Sequence, residues 1–212
     1  MTLNADAEPG QQGGIDWLMS RVGYVTCSRF EDVMAVLKNG SPAKAREDYL
    51  LEVVAERLTG KPIEHYVNAA MEWGQQFEAE ARMAYESHTG SMVIEQGFLH
   101  HPTIDMCGGS VDGLVDDDGI IEIKAPNTTT HLRTIASGEC KHLPQIQGYL
   151  FVTGRKWCDF VSYDPRLEPA GLSLYIQRIE RDDKYIAKLE LAITSFQADA
   201  DALIAKLQEA AK

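Results

Sequence analysis

Hydrophobic positions recur at intervals of three and four residues along much of the chain, which is the spacing of one face of an α-helix. The pattern predicts five helices, over residues 28–39, 44–58, 68–88, 143–153 and 183–212. Ser28 and Glu31 match a capping box at the start of the first helix. The second helix carries an apolar stripe that we expect to be buried, made of Tyr49, Leu50, Val53, Val54 and Leu58.

Shorter apolar segments between the helices carry strand-like patterns. We expect strands over residues 92–94, 108–115, 119–125, 157–163 and 172–180, with a polar connection at 127–130. Residues 1–14 are polar and rich in glycine, which is typical of a flexible tail, and residues 15–212 then form one domain. Strands that alternate with helices in this way predict a single α/β domain.

The segment from Asp112 to Lys124 holds the most informative polar residues. Side chains alternate between the two faces of a strand, so we expect Glu122 and Lys124 on one face and Ile121 and Ile123 on the other. We expect Asp112 on the partner strand, where it can meet Glu122 across the ladder. Converging carboxylates repel each other unless a divalent cation binds between them, and Mg²⁺ takes such oxygen ligands. The same residues also fit a solvated strand face with a cross-strand ion pair, so this segment alone leaves both interpretations open.

Composition and charge limit the function classes. The chain has 212 residues, of which 44% are hydrophobic and 25% charged, as in an ordinary globular domain. No apolar run approaches the ~18 residues of a membrane span, and the N-terminus lacks a signal-peptide pattern, so we expect a cytoplasmic protein without membrane contact. The net charge of −12 argues against a broad DNA-binding surface but leaves room for DNA contacts confined to one channel. Reduced thiols are expected for the dispersed cysteines Cys27, Cys107, Cys140 and Cys158.

Two further groups of residues suit anion binding. Gln145 and Tyr149 lie one helical turn apart and can hold a phosphate together; alternatively, Tyr149 is a core aromatic and Gln145 a surface residue. Arg21 and Ser28 flank the expected start of the first helix, where a guanidinium, a hydroxyl and free N–H groups can bind an anion. The alternative for Ser28 is helix capping and for Arg21 a surface ion pair, and capping does not exclude anion binding.

The ordered segments 17–21, 25–28, 71–82, 110–113, 122–126, 145–147, 151–157, 163–166 and 179–185 carry a family likeness. Together they resemble the λ-exonuclease and YqaJ-type viral recombinase (alkaline exonuclease) family of the PD-(D/E)XK nuclease superfamily. The resemblance covers nearly the whole chain. It implies a restriction-endonuclease-like α/β core, with a central mixed sheet flanked by helices.

The resemblance assigns roles to the matching residues. The catalytic set that it implies is Asp112, Glu122, Lys124 and Glu78. It implies two Mg²⁺ ions, for which Mn²⁺ can substitute, held by Asp112, by Glu122, by the backbone carbonyl of Ile123 and, through water, by Glu78. The residues that would bind the 5′-phosphate and the DNA are Arg21, Ser28, Ser110 and Gln145, with Tyr149, His142 and Arg133 as further candidates.

The resemblance also implies an activity and partners. Members of this family digest one strand of linear double-stranded DNA in the 5′→3′ direction, start preferably at 5′-phosphorylated ends and release 5′-mononucleotides. The 3′ overhangs that they leave serve single-strand-annealing recombination. The resemblance therefore implies a homotrimeric ring around DNA, a single-strand annealing protein as partner, and a phage or prophage protein in the cytoplasm of a bacterial host.

Two positions depart from the family pattern. His142 stands where the family has a tyrosine, and Thr130 stands where it has an arginine that contacts DNA, a role that Arg133 can take over. Two other functions are alternatives. A RecB-like nuclease of the same fold also uses a Gln-x-x-x-Tyr helix and often holds an iron–sulfur cluster with C-terminal cysteines. A non-catalytic subunit that binds DNA ends would keep the fold without cutting DNA.

Overall fold

The computed structural model describes residues 14–63 and 69–212, without the side chains of residues 69–71. The expected flexible tail, residues 1–14, lies almost entirely outside the described residues. Asn68, the expected start of the third helix, lies outside them as well. The tail and the extent of the single domain therefore stay predictions.

Seven α-helices occur in the described part of the chain. They are α1 (Ile15–Ser20), α2 (Phe30–Val33), α3 (Lys44–Thr59), α4 (Ala69–Thr89), α5 (Thr128–Ser137), α6 (Leu143–Thr153) and α7 (Asp183–Ala210). Gly60 ends α3 and Gly154 ends α6, each in the left-handed conformation that glycine adopts without a Cβ clash. Asp182 caps the start of α7 with its side chain. Within residues 14–63 and 69–212, no helix combines the length and the hydropathy that a membrane crossing requires.

The strands of the described residues form two sheets. They are β1 (Val25–Thr26), β2 (Val93–Ile94), β3 (Leu99–His100), β4 (Cys107–Gly109), β5 (Gly113–Val115), β6 (Gly119–Lys124), β7 (Trp157–Tyr163) and β8 (Leu174–Glu180). The larger sheet has the order β2-β5-β6-β7-β8, and the smaller has the order β1-β4-β3. Because β6 pairs in parallel with β7 and antiparallel with β5, the larger sheet is mixed. The expected α/β fold with a central mixed sheet is confirmed.

Helices cover both faces of the larger sheet. Ile120 belongs to a core with α3, α6 and α7, whereas Ile121 and Ile123 pack with Tyr85 of α4. Each fully buried isoleucine of this kind stabilises the fold by about 1.5–3 kcal/mol. The side chains of β6 therefore alternate as expected, which places Glu122 on the face of α6.

The direction of α4 brings its first half to the carboxyl end of β6 and β7. The hydroxyl of Tyr85 donates to Asp159, near the start of β7, at 2.7 Å. The hydroxyl of Tyr163, the last residue of β7, donates to Glu80 at 2.6 Å. Because α4 thus runs antiparallel to β7, Glu78 lies beyond Glu80 towards the end of the sheet where β6 finishes.

The chain after Ser28 differs from the expected helix. A 3₁₀ turn covers Cys27–Arg29, and α2 ends at Val33. No side chain caps either element, so the capping-box prediction for Ser28 is wrong. Val36 and Leu37 are 62% and 52% exposed, and a longer helix would have gained little from packing them.

The apolar stripe of α3 is mostly as expected. Tyr49, Val53 and Val54 are buried, and Leu50 packs against the same core. Leu58 is 47% exposed, so its predicted burial is wrong. It lies in the last turn of α3, where the helix leaves the core.

The strand expected over residues 108–115 is interrupted. The chain leaves β4 at Gly109 and enters β5 at Gly113, and these two strands belong to different sheets. Asp112 therefore lies in the connection, and its predicted place on a strand is wrong. Its Oδ2 accepts a hydrogen bond from the backbone N–H of Ile123 at 2.7 Å, beyond the last β5–β6 pair. The change of sheet is what brings Asp112 beside Glu122.

The polar connection expected at residues 127–130 is the start of α5. Asn127 caps this helix by accepting a hydrogen bond from the N–H of Thr130 at 2.9 Å. A run of threonines has a low helix propensity, so the sequence pattern gives no sign of α5. Tertiary contacts stabilise it, because the buried His131 ring bonds to Ser162 at 2.7 Å and to the carbonyl of Leu172 at 2.8 Å. The elements α1, β1 and β3 are also absent from the predicted elements, because they are too short to show a periodic pattern.

Candidate active site

The carboxyl end of β6 carries a buried ion pair. Glu122 is 1% exposed, and its Oε1 lies 2.5 Å from Nζ of Lys124. Burial disfavours the charged carboxylate and the charge of Asp112 repels it, so the pKa of Glu122 is raised to about 8. Burial by itself would lower the pKa of Lys124, but Glu122 and Asp112 outweigh burial and raise it. Lys124 is therefore held as an ammonium that donates a hydrogen bond to Glu122.

Two more carboxylates approach this pair from other elements. Asp112 comes from the β4–β5 connection, and burial raises its pKa against the opposing effects of Lys124 and the Ile123 N–H. Glu78 comes from α4, where its side chain is 30% exposed and bonds to Arg82 at 3.0 Å. Burial and the charge of Asp112 raise the pKa of Glu78 to about 7. Three carboxylates with raised pKa values mark a site that lacks positive charge. We call Glu78, Asp112, Glu122 and Lys124 the carboxylate cluster.

One oxygen of the carboxylate cluster has no partner. Oε2 of Glu122 is buried and accepts no hydrogen bond from the residues that the structure describes, whereas Oε1 accepts from both Lys124 and Gln145. A buried carboxylate oxygen without a partner is costly. Within residues 14–63 and 69–212, no three His, Cys, Asp or Glu side chains already stand in a metal-binding arrangement. The donor types still fit a hard cation, because carboxylate and carbonyl oxygens are the ligands that Mg²⁺ prefers.

Helix α6 brings Gln145 and Tyr149 to the carboxylate cluster. Nε2 of Gln145 donates to Oε1 of Glu122 and to the hydroxyl of Tyr149, both at 2.8 Å. Tyr149 is 4% exposed, and burial together with the charge of Glu122 raises the pKa of its phenol. Gly109 allows this close packing, because a Cβ at residue 109 would lie 2.9 Å from the Tyr149 ring. Tyr149 is thus a core aromatic that also reaches the site, and Gln145 faces the site directly.

A second polar group, which we call the Arg21 pocket, consists of Trp17, Arg21, Thr26, Ser28 and Ser110. Nε1 of Trp17 donates to Ser110 at 2.7 Å, and the Arg21 guanidinium lies 4.6 Å from the Trp17 ring centroid. Arg21 also donates to Oγ1 of Thr26 at 3.4 Å, and the same oxygen lies 3.4 Å from Oγ of Ser28. Burial lowers the pKa of Arg21, which forms no ion pair with any carboxylate that the structure describes. A half-buried guanidinium of this kind, with hydroxyls around it, is suited to an anion.

The Arg21 pocket adjoins the carboxylate cluster. Ser110 lies two residues before Asp112 in the same connection. Cys27 forms another link, because its Sγ and the Tyr149 ring both pack closely against Gly109. The described chain therefore brings Arg21, Ser28 and Ser110 together through Trp17 and Thr26, while Gln145 contacts Glu122 and Tyr149.

The remaining candidates lie around the edge of the site. His142 precedes α6, and its ring centroid lies 5.7 Å from that of Phe160. Burial and the charge of Lys124 lower the pKa of His142 to about 4, so the ring is neutral near pH 7. Arg133 is exposed on α5 and has no ion pair among the described residues, whereas Thr130 is part of the first turn of that helix. Among His142, Thr130 and Arg133, the exposed Arg133 is therefore the residue whose charge can contact a ligand.

Two members of the Arg21 pocket are absent from the candidates that the sequence indicates. Trp17 supports both Arg21 and Ser110, and its only local signal is the i, i+4 spacing from Arg21. Thr26 joins Arg21 to Ser28, and nothing in its surrounding sequence marks it. The four cysteines are free thiols and do not form a group near the C-terminus.

Fold and site together define a class of α/β protein in which a central strand presents a Glu-x-Lys pair, with an aspartate beside it and a pocket with an arginine and hydroxyl groups nearby. A model of the YqaJ-like viral recombinase domain matches residues 16–156. The chain therefore belongs to the YqaJ-like viral recombinase family. No curated protein matches the chain significantly in sequence.

Solved structures agree with this family. The alkaline exonuclease LHK-Exo from Laribacter hongkongensis is 44% identical, with a TM-score of 0.85 over 92% of this chain and 97% of that chain. LHK-Exo in complex with dAMP matches with the same identity and coverage and a TM-score of 0.86. A phage-related exonuclease from Haemophilus somnus 129PT is 18% identical, with a TM-score of 0.69 over 87% of this chain and 96% of that chain, and shows the fold alone. The expected family resemblance is confirmed.

Proposed function

We propose that the chain is a Mg²⁺-dependent 5′→3′ exonuclease that digests one strand of linear double-stranded DNA. It would release 5′-mononucleotides and leave 3′ overhangs for single-strand-annealing recombination. The observation that carries the proposal is the ion pair of the buried Glu122 with Lys124, beside Asp112, in which Oε2 of Glu122 has no partner among the described residues. The 44% identity to an alkaline exonuclease supports a nuclease, and the complex of that relative with dAMP supports a nucleotide ligand.

The carboxylate cluster would hold two Mg²⁺ ions, for which Mn²⁺ could substitute. Asp112, Glu122 and the backbone carbonyl of Ile123 would bind directly, and Glu78 would bind through water. The partial exposure and raised pKa of Glu78 support this outer role. When bound, Mg²⁺ supplies the positive charge that polarises the scissile phosphate and lowers the pKa of a water molecule.

Lys124 would assist the attack of water on the phosphate. Its ammonium is oriented by the ion pair with Glu122 at 2.5 Å, and its raised pKa keeps it protonated. A fixed ammonium stabilises the negative charge that develops on the phosphate oxygens during attack. Cations bound beside it would lower the pKa of Lys124, which would also suit the amine to activate the attacking water. Gln145 would orient Glu122 through their hydrogen bond.

The Arg21 pocket, together with Gln145, would hold the terminal 5′-phosphate. Arg21 supplies a half-buried charge that has no carboxylate partner among the described residues, and Ser28 and Ser110 supply hydroxyl donors. Hydrogen bonds to a charged group contribute about 1.5–3 kcal/mol each. A phosphate fixed here, beside the carboxylate cluster, would set the first phosphodiester bond as the bond to be cut.

Arg21→Ala is expected to lower digestion of 5′-phosphorylated ends by roughly ten- to a hundred-fold, the equivalent of one lost charge-assisted contact. Digestion of 5′-hydroxyl ends should fall much less, because those ends lack the phosphate. The measurement is the initial rate on two duplexes that differ only in the 5′ group. Lys44→Ala is a suitable control, because Lys44 is 83% exposed in a surface ion pair with Asp48. An equal loss of digestion rate on both duplexes would contradict binding of the 5′-phosphate in the Arg21 pocket.

The same function includes wider contacts and partners. His142 and Arg133 would contact the DNA at the edge of the site, and the buried Tyr149 would act through its hydrogen bond with Gln145. The chain would form a homotrimeric ring around DNA, so that a positive inner wall is compatible with a net charge of −12. A single-strand annealing protein would bind the exposed 3′ overhang. Light scattering on the purified chain measures the mass of the assembly, and a monomeric mass would contradict the ring.

Comparison of linear and covalently closed circular duplex tests the exonuclease. We expect release of acid-soluble nucleotides from the linear form with Mg²⁺, none from the circular form, and none from either form in EDTA. Digestion of the circular form would indicate an endonuclease. Binding of DNA ends without any Mg²⁺-dependent release would indicate a non-catalytic end-binding subunit.

A further inference from the structure

The Arg21 pocket is built on a segment with little regular structure of its own. Between Ser20, the end of α1, and the start of α2 lie only the two-residue strand β1 and a 3₁₀ turn. Gly23 adopts a φ of 74° within this segment, in a left-handed turn. Such a segment does not by itself fix an arginine and two hydroxyls in one arrangement. The parallel pairing of β1 with β4 holds part of the segment, and contacts from a further element complete its support.

The hydroxyl of Tyr49, on α3, bonds to the middle of this segment. It accepts a hydrogen bond from the backbone N–H of Thr26 at 3.0 Å and donates to the carbonyl of Tyr24 at 3.4 Å. The Tyr49 ring is 4% exposed, with the Arg29 guanidinium 4.2 Å and the Phe196 ring 5.2 Å from its centroid. Burial raises the pKa of the phenol, which therefore stays protonated. A ring confined in this way holds its hydroxyl in one place.

Two other residues of α3 hold the turn at Gly23. Oε2 of Glu56 accepts from the N–H of Gly23 at 2.8 Å, and Nε of Arg57 donates to the carbonyl of Gly23 at 2.9 Å. Tyr49 and Glu56 are seven residues apart, which is two helical turns, so they share one face of α3. Helix α3 therefore holds the pocket segment at both Gly23 and Thr26.

We propose that Tyr49 is a positioning residue for recognition of the DNA 5′-phosphate, because its hydroxyl sets the place of Thr26 and, through Thr26, the places of Arg21 and Ser28. The inference rests on the proposed function of the Arg21 pocket and deepens it. Thr26 is the link, since its N–H bonds to Tyr49 while its Oγ1 accepts from Arg21 and adjoins Ser28. Tyr49 is too deeply buried to contact DNA, so its effect is indirect.

Removal of the hydroxyl leaves the buried N–H of Thr26 without an acceptor. This N–H regains a partner only if the segment moves or water enters, and either change displaces Arg21 and Ser28 relative to Ser110. A displacement of about 1 Å is enough to lose much of the benefit of an oriented contact. The carboxylate cluster keeps its place, because β6, α4 and the β4–β5 connection hold it independently of α3.

The Tyr49→Phe chain tests the inference on two duplexes that differ only in the 5′ group. We expect the ratio of kcat/KM for the phosphorylated end over the hydroxyl end to fall roughly ten-fold, chiefly through KM. Tyr85→Phe is the matched control, because the hydroxyl of Tyr85 is also buried and bonds to Asp159, on the other face of the sheet. This control should lower the melting temperature and leave the ratio unchanged.

The outcomes separate this inference from the proposed function. A lower ratio for Tyr49→Phe, with Tyr85→Phe unchanged, supports the positioning role. A Tyr49→Phe chain that keeps the wild-type ratio, or loses rate equally on both ends, overturns the inference and leaves the exonuclease in place. A wild-type chain that digests both ends equally contradicts the Arg21 pocket itself and therefore the inference with it.

Discussion

The Asp112→Asn chain is expected to digest linear duplex at least about a thousand-fold more slowly than the wild type, because one charged oxygen ligand is lost from the carboxylate cluster. An asparagine carbonyl can still accept the hydrogen bond from the N–H of Ile123, so the local backbone is kept. The substitution also removes a like charge that raises the pKa of Glu122 and of Glu78. In metal-free buffer the variant should therefore melt at the same temperature as the wild type or higher. A lower digestion rate with an unchanged or higher melting temperature would show that the substitution affects catalysis and does not unfold the chain.

Two further variants sharpen this test. Asp117→Asn is the matched control, because Asp117 is exposed in the turn between β5 and β6, and it should keep the wild-type rate. Lys124→Gln keeps a hydrogen-bond donor for Glu122 without the charge, and we expect a loss of at least about a hundred-fold. The measurements are the initial rate of nucleotide release with Mg²⁺ and thermal melting in EDTA. An Asp112→Asn rate within about ten-fold of the wild type would rule out the assigned role of the carboxylate cluster.

Without divalent ions, the free energy of unfolding should fall by on the order of 2–4 kcal/mol between about pH 5 and pH 8. The pKa values of Glu122 and Glu78 are raised to about 8 and about 7, whereas an unfolded chain titrates a glutamate near ~4.3. Between these values the folded chain binds more protons than the unfolded chain, so unfolding becomes easier as the pH rises. The stabilising contribution is complete below about pH 4 and is lost as the pH passes the folded-state pKa values.

Addition of Mg²⁺ should restore most of this stability at pH 8, because the ions bind the folded cluster and not the unfolded chain. Thermal melting across the pH range, in EDTA and then in Mg²⁺, measures both effects. Glu122→Gln should flatten the metal-free profile, since it removes a titrating group from the core. Asp118→Asn removes an equal charge from an exposed turn and should leave the slope unchanged. A wild-type profile that is flat in EDTA would contradict the proposed charge imbalance of the cluster.

Some parts of the fold and site could be predicted because their signals are local. The alternation along β6 predicts that Glu122 and Lys124 share a face, and the pleat of a strand guarantees that outcome wherever one face is buried. The i, i+4 spacing of Gln145 and Tyr149 likewise predicts a shared face of α6, and the two side chains are bonded at 2.8 Å. In both cases the geometry of one element determines the contact.

Other parts depend on tertiary contacts that no local pattern carries. Asp112 reaches Glu122 because the chain changes sheets between β4 and β5, and the sequence of residues 108–115 is compatible with one continuous strand. Trp17 and Ser110 are 93 residues apart in the chain, so their hydrogen bond has no signal in either segment. Similarly, α5 is stabilised by the buried His131 against the weak helix propensity of its threonines.

The prediction of one continuous helix over residues 28–39 failed for the same reason. Phe30 and Val33 have helical spacing and are buried, but Val36 and Leu37 are exposed and the helix ends before them. Ser28 therefore does not cap the helix, and its hydroxyl lies beside that of Thr26 in the Arg21 pocket. The sequence pattern thus gives the wrong local structure at Ser28, which is a candidate binding residue. Such sites are where a functional arrangement can override the local conformational preference of the sequence.

Strand polarity is the most direct test of the central claim, that the cluster of Asp112, Glu122 and Lys124 cuts DNA inward from a 5′ end. The substrate is a linear duplex with 5′-phosphates, prepared once with a label at the 5′ ends and once with a label at the 3′ ends. With Mg²⁺, we expect the chain to release the 5′ label at once as a mononucleotide, while the 3′ label stays in strands that shorten with time. Immediate release of the 3′ label, with the 5′ label retained in long strands, would contradict the central claim.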